Sequence, residues 1–169
     1  KPITVEPKPL VSFVASPDSG CTTLNVSFTN NTIGANNYVW EFGDGFISGL
    51  QDPTHAYINI GASDTTYQIQ LIATSGVGCK DTASGEVTVY PGALAGFTNT
   101  PVPNCAPASV QFTNNSINGI SYEWNFDDGS PISTLLNPSH VFVNTSLFIQ
   151  NYNVQLVAFS ANGCSDTVN

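Results

Sequence analysis

Charged residues, and basic ones above all, are scarce in this sequence. Only 9% of its 169 residues are charged, whereas an average protein has about 25%. Three residues are Lys or Arg, and the formal net charge is −9. Because the phosphates of nucleic acids and the surface of an anionic membrane are bound through Lys and Arg, this composition argues against both kinds of partner.

Methionine is absent, and the sequence has no long apolar run. A membrane-spanning helix needs about 18 or more consecutive apolar residues, so we expect no membrane insertion. The residues around Lys1 also lack the apolar region of a signal peptide, and we expect any export signal to lie outside this sequence. Hydrophobic residues still make up 41% of the chain, which favours a folded protein over a disordered one.

The most informative feature is a pattern that occurs twice. The first copy is Tyr38-Val-Trp-Glu-Phe-Gly-Asp-Gly45 and the second is Tyr122-Glu-Trp-Asn-Phe-Asp-Asp-Gly129. Trp40 and Trp124 are the two tryptophans, and 124 − 40 gives a period of 84. Each copy is an alternating aromatic run that ends at an Asp-Gly turn, and about seven short alternating segments surround it. The pattern predicts an all-β chain of two tandem antiparallel β-sandwiches.

The period also suggests how the chain divides. We predict one domain over residues 8–91 and a second over residues 92–169, which lacks its own last strand. Ile3-Thr-Val5 aligns with Val87-Thr-Val89, so residues 1–7 match the last strand of a preceding repeat. Two interpretations stay open. Either the chain is a segment of a longer tandem array, or residues 1–7 are a strand donated to another chain in a fibre.

The four cysteines fall two per repeat, with Cys21 and Cys105 early and Cys79 and Cys164 late. An even number at repeating spacings indicates disulfides in an exported protein. Among the three connectivities we predict Cys21–Cys79 and Cys105–Cys164, because one bridge inside each copy keeps the two units equivalent. Four buried free thiols are the alternative.

The repeated motifs resemble those of the PKD (polycystic kidney disease) domain family. The series is Trp-x-Phe-Gly-Asp-Gly, then Pro-x-His-x-Tyr, then Tyr-x-Val-x-Leu. Its motif residues here are Trp40, Phe42, Asp44, Gly45, His55 and Tyr57, and then Trp124, Phe126, Asp128, Gly129, His140 and Phe142. Departures are mild, since Asp127 replaces a Gly and Phe142 a Tyr. The resemblance implies an immunoglobulin-like β-sandwich with an extracellular, non-catalytic role.

The cysteine-containing repeats are similar to a subset found in large surface proteins and adhesins of gliding Bacteroidetes-type bacteria. In that group an Asp followed by Thr or Ser and a small or aliphatic residue is an O-glycosylation motif. This resemblance makes Thr65, Thr82 and Thr167 candidate O-glycosylation sites.

Several motif residues could carry chemistry. Trp40 and Trp124 could stack on sugars, but their place within alternating aromatic runs favours core tryptophans packed against a disulfide. His55 and His140 recur in the same Pro-x-His setting, which favours a structural hydrogen bond over catalysis. We expect no enzymatic activity and no cofactor.

The acidic residues at the turns offer one metal alternative. Asp44, Asp127 and Asp128 could ligate calcium through carboxylate oxygens. Two or three acidic residues fall short of a complete ligand set, however, and Asp-Gly is ordinary turn chemistry. We therefore predict no metal site, with calcium at these residues as the alternative.

These observations predict a structural or adhesive module of an extracellular repeat protein, such as a cell-surface adhesin, stalk or filament. The resemblance to surface proteins of gliding bacteria implies a role in gliding motility. Its expected partners are neighbouring repeats or subunits of the same protein, with strand donation as one mode of contact. The second hypothesis is a polysaccharide-binding accessory module of a secreted hydrolase, which predicts aromatic side chains exposed on one sheet face.

Overall fold

A computed structural model describes residues 1–100 and 105–169. The chain divides into two compact units, Lys1–Tyr90 (unit 1) and Pro91–Asn169 (unit 2). Within the described residues all regular structure is β-strand, which confirms the predicted all-β class. The same residues contain no helix long and apolar enough to cross a bilayer.

Unit 1 contains eight strands in two sheets. They are β1 (Phe13–Ser16), β2 (Ser19–Cys21), β3 (Leu24–Asn30), β4 (Asn37–Glu41), β5 (Ile47–Ser48), β6 (Thr54–Tyr57), β7 (Thr65–Thr74) and β8 (Lys80–Tyr90). One sheet has the order β1-β3-β6 and the other β2-β8-β7-β4-β5. Pairing is antiparallel except between β2 and β8, which run parallel at one edge. The antiparallel prediction therefore holds for the body of the sandwich but not for this edge.

Unit 2 contains six strands among its described residues. They are β9 (Phe97–Asn99), β10 (Ala108–Asn114), β11 (Ser121–Asn125), β12 (Ser139–Phe142), β13 (Gln155–Phe159) and β14 (Ser165–Val168). One sheet has the order β12-β10-β9 and the other β11-β13-β14. These pairings are all antiparallel.

Strict alternation of apolar and polar residues forms the core of each unit. In β3, Leu24, Val26 and Phe28 are buried while the residues between them are exposed. In β10, Val110 and Phe112 repeat this arrangement. Successive side chains of a strand point to opposite faces, so alternation places every second residue between the two sheets. Each fully buried aliphatic side chain contributes about 1.5–3 kcal/mol to folding.

Residues 1–7 contribute no strand to either sheet of unit 1. Residues 1–9 form no strand, and Ile3 and Val5 are exposed. Residues 1–7, whose sequence matches a last strand, are therefore exposed in unit 1 and pair with none of its strands.

The predicted disulfide pairing is wrong. Cys79 and Cys105 have free thiols, so neither Cys21–Cys79 nor Cys105–Cys164 is formed. Cys21 lies opposite Tyr90 at one end of β8, and Cys79 precedes Lys80 at the other end. Cys79 and Tyr90 are 90 − 79 = 11 residues apart, and a strand rises about 3.3 Å per residue, so about 36 Å separates the two cysteines. Disulfides need Cα atoms within about 7 Å.

The repeat puts the cysteines of unit 2 at equivalent positions. Cys105 lies three residues before β10, as Cys21 does before β3, and Cys164 immediately precedes β14. The free thiol of Cys105 shows directly that no bridge forms inside unit 2. The criterion that the two units stay equivalent contains no information on the distance between the cysteines of a pair.

Candidate functional site

The tryptophan of unit 1 lies at the centre of its core. Trp40 in β4 is fully buried, with its ring 5.1 Å from that of Phe13 and 5.3 Å from that of Phe28. Its Nε1–H donates a hydrogen bond to the carbonyl oxygen of Leu50 at 2.9 Å. Buried aromatic clusters of this kind contribute about 0.5–1.5 kcal/mol per ring pair beyond the area that they bury.

The tryptophan of unit 2 makes the equivalent contacts. Trp124 is fully buried against Phe97 at 5.2 Å and Phe112 at 5.5 Å, measured between ring centroids. Its Nε1–H donates to the carbonyl oxygen of Leu135 at 2.9 Å. Since a sugar-stacking platform must present a ring face to solvent, neither tryptophan can serve as one in this structure.

His55 in β6 contacts the turn that follows β4. Its Nε2 lies 2.6 Å from Oδ2 of Asp44, while Oδ1 of that carboxylate accepts the backbone N–H of Phe46 at 3.1 Å. The imidazole stacks on Phe42, with ring centroids 4.3 Å apart and planes 3° from parallel. The Asp44 carboxylate thus binds both its own turn and β6 of the other sheet.

His140 makes the equivalent contact in unit 2. Its Nε2 lies 2.7 Å from Oδ2 of Asp128, and its ring stacks on Phe126 at 4.0 Å. The backbone N–H of Ser130 donates to Oδ1 of Asp128 at 3.0 Å. Partial burial opposes ionisation of Asp128, but hydrogen bonds from Ser130 and His140 and the charge of His140 outweigh it and lower its pKa to about 2.

The last motif residue differs between the units. The Tyr57 hydroxyl donates to the carbonyl oxygen of Phe42 at 3.1 Å within the core of unit 1. Burial, with smaller effects of Asp44 and Tyr67, raises the pKa of Tyr57 well above its usual value. Phe142 occupies this position in unit 2 and has no hydroxyl.

The backbone of the two turns adopts positive φ angles that favour glycine. Gly45 and Gly129 have φ of 95° and 80°, a region that residues with a side chain rarely adopt. Gly43 also has a positive φ, of 83°, whereas unit 2 has Asp127 at that position with φ 61°. The Oδ2 atom of Asp127 accepts the backbone N–H of Asn153 at 3.0 Å.

These contacts occupy the carboxylates that we considered as calcium ligands. Asp44 and Asp128 each face a histidine, and Asp127 faces a backbone amide. Across residues 1–100 and 105–169, no three His, Cys, Asp or Glu side chains cluster in a way that could hold a metal ion. The geometry therefore gives calcium no support beyond the sequence pattern.

The candidate glycosylation sites all lie in strands. Thr82 in β8 and Thr167 in β14 are exposed, while Thr65 at the start of β7 is partly buried. Modification of these threonines remains a prediction. Thr82 and Thr167 are more accessible than Thr65.

Sequence reasoning missed one repeated contact. Asp52 Oδ1 accepts the backbone N–H of Asn30 at 2.8 Å, and Asn137 Oδ1 accepts that of Asn114 at 2.8 Å. Both acceptors precede a buried proline, and 137 − 52 gives 85, the period of this part of the chain. An Asp or Asn before proline in both copies was the signal that could have identified it.

Comparison with known families agrees with this architecture. A PKD domain model matches residues 5–89, and a second PKD domain model matches residues 96–168. The chain belongs to the PKD domain family. The resemblance inferred from the motifs is therefore confirmed, and with it the immunoglobulin-like β-sandwich class for this PKD pair.

Solved structures similar to this PKD pair include single PKD domains. The PKD1 domain of Vibrio anguillarum Epp is 25% identical, with a TM-score of 0.42, and the match covers 50% of this chain and 96% of that domain. The PKD1 domain from the Vibrio cholerae metalloprotease PrtV is 25% identical, with a TM-score of 0.41, over 49% of this chain and 98% of that domain.

One further match spans both units. A structure described as carbohydrate-binding modules from the β-sandwich superfamily is 19% identical, with a TM-score of 0.47. It covers 97% of this chain and 90% of that one.

Proposed function

We propose that this PKD pair is a non-catalytic structural module of an extracellular repeat protein or filament, such as a cell-surface adhesin or stalk. The observation that carries the proposal is the duplicated His–Asp–Phe contact. In both units the residues best suited to chemistry instead tie a turn to a sheet. A catalytic site has no reason to occur twice with the same internal partners, whereas a load-bearing fold does.

Two further features support an extracellular setting. The chain contains disulfide-bonded cysteines, and disulfides persist mainly outside reducing cell compartments. The low charge leaves Asn, Ser and Thr to cover much of the surface. The partners that we propose are neighbouring repeats or subunits of the same protein.

Single-molecule pulling tests the mechanical role. With reductant present, the chain should extend in two separate force peaks, one per unit. A unit of about 80 residues spans roughly 280 Å when extended, at up to 3.6 Å per residue. Trp40→Ala should lower one peak and leave the other. Gradual extension without peaks would contradict a load-bearing role.

The same material tests the polysaccharide-binding alternative. We expect no retention on insoluble cellulose, chitin or xylan, because both tryptophans are buried. Phe46 and Phe148 are exposed aromatics, so Phe46→Ala and Phe148→Ala serve as matched variants. Retention that either substitution abolishes would replace our proposal with the binding module.

A further inference from the structure

The longest strand of unit 1, β8, has a neighbour on its outer side over only part of its length. On one side β7 pairs with it from Lys80 to Val89. On the other side β2 pairs with Thr88, Val89 and Tyr90 alone. No strand in the described part of the chain pairs with residues 80–86 on this second side. Residues 80–86 are therefore an open sheet edge.

This opening has a cause inside unit 1. β1 belongs to the sheet β1-β3-β6, and the chain joins β8 in the other sheet only at β2 (Ser19–Cys21). A groove of about 440 Å³ lies between β1 and residues 83–86 of β8. Val11, Phe13 and Ala15 line it and pack against the core, but they are only partly buried. Space for a further strand thus lies beside the open edge.

The backbone of the open edge is available for hydrogen bonding. The Thr88 N–H donates to the carbonyl oxygen of Asp18 at 2.9 Å, so it points away from β7. Every second residue along a strand directs its backbone groups to the same side. The residues that direct N–H and C=O outward are therefore Lys80, Thr82, Ser84 and Glu86. None of these outward groups has a partner within residues 1–100 and 105–169, and such an edge is a template for pairing with another chain.

The open edge carries one positive and one negative side chain at its two ends. Lys80 and Glu86 both lie on the exposed face of β8. They are 86 − 80 = 6 residues apart, or about 20 Å along a strand, so they do not contact each other within one chain. Gln68 Nε2 donates to Glu86 Oε1 at 2.8 Å. Lys80 forms no ion pair with the acidic residues that the structure describes, although the chain has 12 acidic residues and three basic ones.

We propose that two copies of this chain associate through the open edges of β8, which pair antiparallel with Ala83 opposite Ala83 of the second copy. In this register Lys80 of each copy lies opposite Glu86 of the other. Opposite residues of an antiparallel pair lie on the same face with Cβ atoms about 4.5–5.5 Å apart, so the contact forms two ion pairs. The pairing also joins the outward backbone groups of the two edges.

The charges select this register. The smallest slip that keeps the outward backbone groups facing each other is two residues. Such a slip would put Lys80 opposite Ser84 or Thr88, and both ion pairs would be lost. The counterpart of Lys80 in unit 2 is Ser165, so unit 2 lacks this charge pattern.

The inner face of the paired edges brings no like charges together. There Asp81 of one copy lies opposite Gly85 of the other, and both residues are only partly buried in a single copy. The Asp81 carboxylate also has Lys8 Nζ 3.8 Å from its Oδ1 atom. The inference rests on the proposed function, because it names a contact by which copies of a structural module join.

Exchanging the two charges tests the proposed contact. The thiols of Cys79 and Cys105 can crosslink copies by themselves, so every variant carries Cys79→Ser and Cys105→Ser. Analytical ultracentrifugation at about 0.15 M salt, where repulsion between the acidic copies is screened beyond about 8 Å, should show a dimer that dissociates on dilution. Lys80→Glu and Glu86→Lys should each weaken this dimer about tenfold or more, because like charges then face each other. The double variant should restore it.

Two outcomes of this experiment would overturn the proposal. One is a monomer at every concentration, and the other is a double variant that stays as weak as the single ones. Circular dichroism establishes that each variant is folded before association is measured. Force peaks from single chains in the pulling experiment, without any dimer here, would leave the proposed function intact and reject this contact alone.

Lysines on open edges also serve to prevent pairing, and Lys80→Ser separates the two roles. This change gives unit 1 the residue of unit 2. If Lys80 pairs with Glu86 of a second copy, the dimer should weaken. A stronger dimer would show that Lys80 blocks the edge, which would overturn the proposal.

Disulfide trapping tests the register. Residues 83 of the two copies would form a non-hydrogen-bonded pair with Cα atoms about 4.5 Å apart, a distance that a disulfide can span. Oxidation of Ala83→Cys by dissolved oxygen should therefore give a linked dimer on a non-reducing gel. The control is Val77→Cys, which is more accessible in a single copy, since Val77 is 65% exposed and Ala83 partly buried. Crosslinking that is faster at position 77 than at position 83 would overturn the register and the proposal with it.

Discussion

The two units share a core but differ in the length of one strand. In unit 1, β7 has 10 residues, whereas its counterpart in unit 2, β13, has 5. The alternation is the same in both, as Tyr67-Gln-Ile-Gln-Leu71 and Tyr152-Asn-Val-Gln-Leu156 show. The five residues by which β7 exceeds β13, Thr65–Ile69, pair with Gly85–Val89 of β8. The comparison teaches that alternation makes a segment competent to be a strand, while a hydrogen-bonding partner decides how much of it becomes one.

A second difference accompanies the first. In unit 1 a Cβ on Gly43 would lie 2.5 Å from the carbonyl oxygen of Gln68 and 2.9 Å from its nitrogen. The counterpart of Gln68 in unit 2 is Asn153, whose N–H is bound by the Asp127 side chain. The β7 backbone at Gln68 thus leaves room for glycine alone, whereas in unit 2 the Asp127 side chain fits and binds the backbone N–H of Asn153.

The shared core gives the largest expected effect. Trp40→Ala or Trp124→Ala should each lower the free energy of unfolding of its own unit by about 3–5 kcal/mol, because a fully buried tryptophan leaves a large cavity. Each unit has one tryptophan, so the fluorescence of the remaining one follows the unaltered unit. In urea with reductant present, the free energy of unfolding of the unaltered unit should change by less than about 0.5 kcal/mol. Equal loss in both units would contradict a separate core for each.

Exchanging the turn residues sharpens the difference between the units. Gly43→Asp should destabilise unit 1 by about 1–3 kcal/mol, since the side chain meets the β7 backbone at a strained φ. The reverse change, Asp127→Gly, loses a hydrogen bond but relieves a positive φ, so unit 2 should change by less than about 1 kcal/mol. Urea unfolding measures both. Similar effects in the two units would show that the β7 pairing does not set the requirement for glycine.

Tyr57→Phe gives unit 1 the residue of unit 2. The loss of the buried hydrogen bond to Phe42 should cost about 1–2 kcal/mol. The control Tyr67→Phe removes an exposed hydrogen bond and should cost less. Because the pKa of Tyr57 is raised in the folded state, its contribution is complete below the unfolded pKa of about 10 and falls as pH rises further. The variant should therefore lose less stability between pH 9 and 11 in urea titrations, and an unchanged pH dependence would contradict the assignment.

The smallest effect concerns Asp128. Its pKa is lowered to about 2 in the folded state, against about 3.9 when unfolded. The unfolded chain thus takes up this proton first, and the contribution of Asp128 is complete above pH 4 and is lost as pH falls toward 2. In Asp128→Asn, the urea midpoint of unit 2 should depend less on pH in this window, while the unit 1 midpoint keeps its slope. If the urea midpoint of unit 2 depended on pH as steeply in Asp128→Asn as in the unaltered chain, Asp128 would not be the source of that pH dependence.

Much of the fold could be predicted because it depends on local pattern. Alternation predicted the strands around Trp40 and Trp124, and the repeated motifs predicted the family. The histidines were assigned a structural bond from their repeated setting, and the structure places each beside a turn carboxylate. The parallel β2–β8 edge was not predicted, because periodicity contains no information on strand direction.

The disulfides mark the limit of such reasoning. Symmetry between the copies predicted Cys21–Cys79 and Cys105–Cys164, but distances along β8 exclude the first, and the free thiol of Cys105 excludes the second. Spacing along a chain does not give distance in space, which depends on which end of a sheet each cysteine reaches.

The amino-acid pattern is enough to predict that the chain is all-β, that it is built from two PKD units, and which side chains face the core. These properties follow from alternation and repetition, which are local. The tertiary structure was needed to show which cysteines keep free thiols and that the tryptophans are closed to solvent. Those properties depend on which strands are neighbours, and neighbours are chosen by packing between segments far apart in the chain.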